Sequence, residues 1–447
     1  MNGKANGQRV LIRNGRVIDP KTGGDAVGDI YIEDGLIKAV IFADDGAEGG
    51  DFSGALVIDA EGLIAAPGLI DLHVHFREPG FCHKEDIYSG SLAAARGGYT
   101  TVCCMPNTRP AVDCAQTLML VDSKGRDAGK VNLLAAGAMT VGQAGRELSD
   151  IAGMMSAATR CAEMCGRGVF ALTEDGRTLT DEGLMRQVAL KAKELGLLIM
   201  DHTENHSLSG DPVSTGQVSE RLGIGGVPAM AEADIVARDI KLAAEIGCRI
   251  HIQHVSTKES IALIREAKAA GIPITAETAP HYFALTDAAV FMSGSNAKMN
   301  PPLRSEEDRA AVIRGLCEGV IDIIATDHAP HGWAEKAVGV EKAPFGISGL
   351  ETGFAVSYTV LVKGGHMSLG ALLCKMSLEP ALLAGLSRGR IEAGAAADIV
   401  IIDIDEEYNV DKRDFISKGK NTPFDGMRLS GRVKFTICGG ELTYGIS

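Results

Sequence analysis

Within the 447-residue chain, the run Asp71-Leu72-His73-Val74-His75-Phe76-Arg77 sets two imidazoles and a guanidinium at alternate positions. In an extended strand the period of two puts Asp71, His73, His75 and Arg77 on one face. Further polar residues end apolar runs downstream: Glu174-Asp175-Gly176, Asp201-His202, His254 and Asp327-His328. His73, His75, His202 and His254 together with Asp175 and Asp327 make a donor set that suits Zn²⁺. It is enough for one or two ions with a position left open for water. Zinc lowers the pKa of a bound water toward about 7 and polarises a carbonyl, which is what hydrolysing an amide requires. A carboxylate at the metal, with Asp327 the candidate, can take the water's proton and pass it to the leaving nitrogen.

Each element has a plainer reading. A lone His-x-His is more often two satisfied histidines than a ligand pair, Asp175 before Gly176 can make a turn, and Asp327 can cap a helix. Those readings would have to hold independently at five strand ends. His206, His251, His281 and His366 are read as structural, and nothing assigns a role to Cys82 or His83. For an anionic substrate, Arg77 can hold a carboxylate in a bidentate pair and Asn107 can donate to an oxygen. His331, the run Asn300-Pro301-Pro302-Leu303-Arg304, and the loop 329–349 with Pro344-Phe345-Gly346 reach the same rim. The Gly/Pro content of that loop points to a lid that closes over substrate.

Bringing five strand ends together needs a parallel sheet. Apolar runs at 69–75, 100–106, 130–139, 168–174, 197–203, 249–256, 272–280 and 320–327 alternate with helical segments such as 182–195, 231–246 and 257–270. Eight strands with helical crossovers predict an α/β chain, a (β/α)₈ TIM-like metallo-hydrolase barrel over 67–389, with a doubly wound open sheet as the competitor. The alternating strands and Asn-Gly or Asp-Gly turns of 1–66 and 390–447 predict one small β-sandwich-like domain built from both ends. Lys plus Arg number 44 against 58 Asp plus Glu, a net charge of −14, so nucleic acid and anionic membranes are poor partners. Residues 1–10 lack a signal-peptide core, no apolar run is long enough to span a bilayer, and ten scattered cysteines suit reduced thiols in a cytoplasm.

The motifs DLHVHFREPG (71–80), KEDIYSGSLAAARGGYTTVCCMPNT (84–108), NPPLR (300–304), ATDHAPH (325–331), APFGISGLET (343–352) and GKNTPFDG (419–426) carry a resemblance. The chain resembles the dihydroorotases of the amidohydrolase superfamily, in their longer class I form, over nearly its whole length. That resemblance implies reversible cyclisation of N-carbamoyl-L-aspartate to (S)-dihydroorotate in pyrimidine synthesis. It implies zinc, one or two ions, on His73, His75, Asp175, His202, His254 and Asp327. Asp175 takes the bridging place that a carboxylated lysine fills in many relatives. Because Thr173-Glu174-Asp175-Gly176 departs from the usual Ser-Asp-Asp-Gly, Glu174 stands as the alternative. Substrate contacts are implied for Arg77, Asn107, Asn300 and His331, with backbone contacts near Phe345 and Gly346, and Asp327 is implied as the proton shuttle. A homodimer and association with aspartate carbamoyltransferase are the implied partners. The rivals are a hydantoinase or allantoinase, which generally use a bridging lysine, and a silent scaffolding subunit, which loses metal ligands.

Overall fold

The computed structural model describes residues 8–42 and 52–446; of the segments read as the small domain, 1–7, 43–51 and 447 lie outside the described residues. The N-terminal strands are β1 (Arg9–Asp19), β2 (Gly24–Glu33), β3 (Leu36–Phe42), β4 (Leu56–Asp59) and β5 (Ile64–Pro67). Asn14 and Asp34 take positive φ of 60° and 53°, left-handed positions that short polar side chains tolerate. Asp34-Gly35 turns β2 into β3, while Asn14 sits at a register shift inside β1 that keeps one long strand where a hairpin was expected.

Eight expected segments each carry strand. They are β6 (Leu69–Val74), β7 (Tyr99–Cys104), β8 (Asn132–Ala135) with β9 (Gly137–Ala138), β10 (Ala171–Thr173), β11 (Leu198–Asp201), β12 (Ile250–Ile252), β13 (Ile274–Thr278) and β14 (Ile323–Ile324). They form a parallel three-stranded sheet, β6-β7-β8, and a parallel six-stranded sheet running from β9 to β14. Ala136 alone separates β8 from β9, so one segment pairs with β7 on one side and β10 on the other. At the far edge, Val74 bridges His328 in parallel, and the His75 N–H donates to the His328 carbonyl at 2.8 Å.

Crossover helices start where the sequence supplies caps. Asp86, Asp181, Thr257 and Ser305 each accept from the backbone N–H three residues on, opening helices Ile87–Arg96, Glu182–Leu195, Lys258–Ala269 and Glu306–Cys317. Gly196 and Gly247 close helices in left-handed geometry. Apolar residues from successive strands, among them Ile70, Leu72, Leu134, Met200 and Ile323, form one buried cluster that stiffens the strands carrying the polar ends.

The last strands are β15 (Ile399–Asn409), β16 (Arg428–Cys438) and β17 (Glu441–Gly445). They extend the N-terminal sheet in the order β17-β16-β15-β5-β1-β2-β3, with β4 also on β1, so both ends of the chain share one sheet. No helix among the described residues is long and apolar enough to cross a membrane.

Candidate active site

The site lies where the parallel strands end. His73 is the penultimate residue of β6, and His75 directly follows the strand. Asp175, His202, His254 and Asp327 each come within a few residues of the end of β10, β11, β12 and β14. All six are buried, at 7% exposure or less. Asp175 is central: Oδ1 lies 3.2 Å from His73 Nε2 and 3.7 Å from both His254 Nε2 and His202 Nδ1, while Oδ2 lies 3.3 Å from His75 Nε2. Asp327 Oδ1 is 3.1 Å from His75 Nε2 and 3.5 Å from His73 Nε2. His202 Nδ1 and His254 Nε2 face each other at 2.8 Å.

This is a set of donor atoms aimed at shared space. His73, Asp175 and His254, and separately His73, His75 and Asp327, offer ligand atoms within 4.8 Å of one another. Buried His73 Nε2 has no hydrogen-bond partner among the described residues, although it points at two carboxylates. A cation between these groups satisfies every one of them, so the residues fit a metal. The electrostatics agree. Burial opposes charge on His73, yet Asp175, Glu277 and Asp327 lift its pKa well above the ordinary value. Burial likewise opposes ionisation of Asp175, but His73 and His75 hold it well below the carboxylate range. Arg77, His254 and Asp327 all have positive φ, of 60°, 33° and 48°, unusual for residues with side chains and concentrated here.

Glu174 does not join the cluster. Its carboxylate accepts from the Thr140 N–H at 2.6 Å and hydroxyl at 2.7 Å, and burial raises it to about 7. Asp175 therefore occupies the position between the histidines. Asp71, grouped with the histidines by the period of two, is also engaged elsewhere: it accepts from the Thr326 N–H and hydroxyl, tying β6 to the segment after β14. The register shift in β6 between Asp71 and Val74 accompanies that departure.

Asn107 Oδ1 accepts from His75 Nδ1 at 3.0 Å, which leaves His75 Nε2 free to face the carboxylates. Asn300 Nδ2 donates to Glu204 at 3.0 Å, and Glu204 accepts from His202 Nε2 at 3.1 Å. Arg77 Nη2 lies 3.3 Å from His331 Nε2, and that nitrogen donates to the Phe345 carbonyl at 2.7 Å. Burial, then Arg77, Lys84 and Lys336, push His331 down to about 2, so its ring is neutral. Arg77, Asn107, Asn300, Phe345 and Gly346 line a cavity of about 140 Å³ above Asp175 and Asp327.

Sequence reasoning missed three residues behind the histidines. Glu277 accepts from His73 Nδ1 at 2.6 Å and from His251 Nε2 at 3.1 Å. Gln253 sits 3.2 Å from His73 Nδ1, and Glu204 backs His202. The available signal was a carboxylate inside the otherwise weakly polar strand ITAET, which must find a partner if buried.

A family model described as dihydro-orotase-like matches residues 62–260. A dihydroorotase of Caldanaerobacter subterraneus subsp. tengcongensis is 46% identical over 437 residues, covering 98% of this chain and 97% of that protein. A dihydroorotase of Clostridioides difficile is 46% identical over 436 residues, covering 97% and 99%. Among solved structures, an L-hydantoinase (dihydropyrimidinase) from Arthrobacter aurescens aligns with a TM-score of 0.83 at 25% identity, covering 98% of this chain and 96% of that one. A dihydropyrimidinase from Brevibacillus agri shares the fold, with a TM-score of 0.80 at 22% identity over 97% and 95%. Such identity over nearly the full length of both chains, around a buried histidine and aspartate cluster at the strand ends, places the chain in the dihydroorotase family of cyclic amidohydrolases.

Proposed function

We propose that the chain interconverts N-carbamoyl-L-aspartate and dihydroorotate with zinc, in a closed (β/α)₈ barrel spanning 67–389 beside a second domain made of 1–66 and 390–447. The observation that carries the reading is the pairing of two features in one cavity, the Asp175-centred donor cluster and the cationic end at Arg77, beside which the neutral His331 ring lies at 3.3 Å. An acidic chain recognises an anionic substrate only through such local cations. Closure of the barrel is supported by the Val74–His328 bridge at one junction and the shared β8–β9 segment at the other.

His73, His75, His202, His254, Asp175 and Asp327 would hold one or two zinc ions. When bound, zinc polarises the scissile carbonyl and acidifies a water for attack on it. Asp327 is the proton carrier. Burial opposes its ionisation, but His73 and His75 keep it below the ordinary carboxylate value, so it begins as a base. In the hydrolytic direction its Oδ takes the water's proton and returns it to the departing ring nitrogen. Arg77 pairs with the substrate carboxylate, and Asn300 and the Phe345–Gly346 backbone fix the ring. Asn107 orients His75 and reaches the substrate oxygen from the same position.

The test is a rate comparison on dihydroorotate, hydantoin and allantoin with metal-replete protein, with metal analysis of the same sample. The reading requires dihydroorotate to be strongly preferred and zinc to be present. Preference for uncharged hydantoin would overturn it, because that substrate gives Arg77 no carboxylate.

A further inference from the structure

Lys336 belongs to the 329–349 loop, yet it is only 4% exposed. Its Nζ donates to three carbonyl oxygens, those of Lys298 at 3.2 Å, Pro344 at 2.9 Å and Gly346 at 3.0 Å. No carboxylate pairs with it among the described residues, and burial with Lys298 nearby pushes its pKa down to about 7. A buried ammonium without a counter-ion is a poor choice for stability alone. Two of its three acceptors are also served by others: the Gly346 N–H donates to Lys298 O at 3.0 Å and Asn421 Nδ2 to Gly346 O at 3.0 Å. Only the Pro344 carbonyl relies on Lys336 among the described residues.

The three carbonyls surround the Phe345–Gly346 peptide, which walls the candidate site. Gly346 has φ of 123°, and a Cβ there would come within 2.6 Å of Ala329 Cβ, so the loop approaches its neighbour as closely as a glycine permits. From the other side, Lys298 Nζ donates to the Glu341 carbonyl at 2.9 Å and sits 4.5 Å from the Phe345 ring centre.

Building on the functional reading above, we propose that Lys336 is a positioning residue for the carboxylate end of the substrate. It is a buried amine whose Nζ holds the Phe345–Gly346 peptide against His331 and, when protonated, adds positive charge to the Arg77 end of the cavity. Its effect passes through the loop and the field, with no contact to the reacting atoms.

The experiment compares wild type, Lys336→Met and Lys336→Gln in steady-state kinetics on dihydroorotate, thermal melting, and amide hydrogen exchange at Gly346. Methionine fills the same space without donors or charge, and glutamine restores donors alone. Lys336→Met should raise KM about ten- to a hundredfold, with kcat within about threefold and melting within about 3 °C. Lys336→Gln should fall between, and exchange at Gly346 should speed up in the methionine variant. An unchanged KM in Lys336→Met, or a KM rise matched by a large fall in melting temperature, overturns the assignment. Wild-type protein inactive on dihydroorotate would defeat the functional reading. Exchange at Gly346 needs no substrate, and unchanged exchange in Lys336→Met would overturn the positioning role separately.

Discussion

Glu277→Gln isolates how the metal-facing histidine is held. Glu277 is 1% exposed and accepts from both His73 Nδ1 and His251 Nε2. Gln253 also approaches His73 Nδ1, but at 3.2 Å against 2.6 Å for Glu277. An ionised carboxylate only accepts, so the closer contact fixes the proton on Nδ1 and leaves the Nε2 lone pair facing Asp175 and Asp327. Glutamine preserves the shape and removes the charge. Replacing a charge-assisted hydrogen bond with a neutral one loses about 1–2 kcal/mol at His73, or roughly 5- to 30-fold in zinc affinity. The amide can also donate, and wherever its nitrogen faces His73 the ring proton moves to Nε2 and blocks ligation. The assay is chelator competition for zinc on folded variant and wild type, followed by dihydroorotate turnover at saturating zinc. Affinity should fall by about that factor and turnover should recover largely once zinc is in excess. A folded Glu277→Gln protein that binds zinc within about threefold of wild type would refute the orienting role.

Asp327→Asn should retain zinc and lose about 10²- to 10⁴-fold in turnover, measured by metal content and initial rates; a near-wild-type rate would remove Asp327 from the proton path. Trp333, the single tryptophan, is 84% exposed in the 329–349 loop, so its emission should shift when dihydroorotate closes that loop. Emission unchanged at saturating substrate would argue against a lid. Lys336 titrates near 7 in the fold but near 10.4 when unfolded, so between those values the unfolded chain binds more protons and this group makes stability rise with pH. Denaturant titrations from pH 7 to 9 should show wild type gaining on Lys336→Met, and a constant gap would contradict the buried charge.

The strands were readable because parallel strands covered on both faces are nearly unbroken apolar runs, and the ligand-type residues stood where those runs ended. Lengths were not. The 168–174 run shortens to Ala171–Thr173 and 320–327 to Ile323–Ile324, since hydrogen-bonded pairing stops before apolar character does. Two junctions bear on a barrel against an open sheet, the Val74–His328 bridge and the shared β8–β9 segment, and no periodicity announces the first, a contact between residues so far apart. The convergence of six side chains was legible from type and spacing, and Glu174 against Asp175 needed coordinates, because adjacent carboxylates have the same chemistry until Thr140 claims one. Glu277, Gln253 and Lys336 escaped notice because their meaning lies in neighbours from other strands and loops. Asp71 misled in the opposite direction, since a period of two assumes a register that β6 does not keep.

The eight-stranded sheet imposes an order on synthesis. β5 ends at Pro67, and β15, which pairs antiparallel with it, begins at Ile399. At about 5–20 residues per second, the intervening chain takes roughly 17–66 s to emerge from a ribosome. Throughout that interval β5 presents an open edge of buried-type residues, Ile64, Ala65 and Ala66, with β1 on its other side. Such an edge templates pairing with other chains. A nascent or truncated chain lacking β15 to β17 is therefore a species for chaperones to guard, and loss of that stretch would register as poor yield as well as poor catalysis, because the same stretch carries Asn421, which donates to the Gly346 carbonyl and accepts from the His331 N–H.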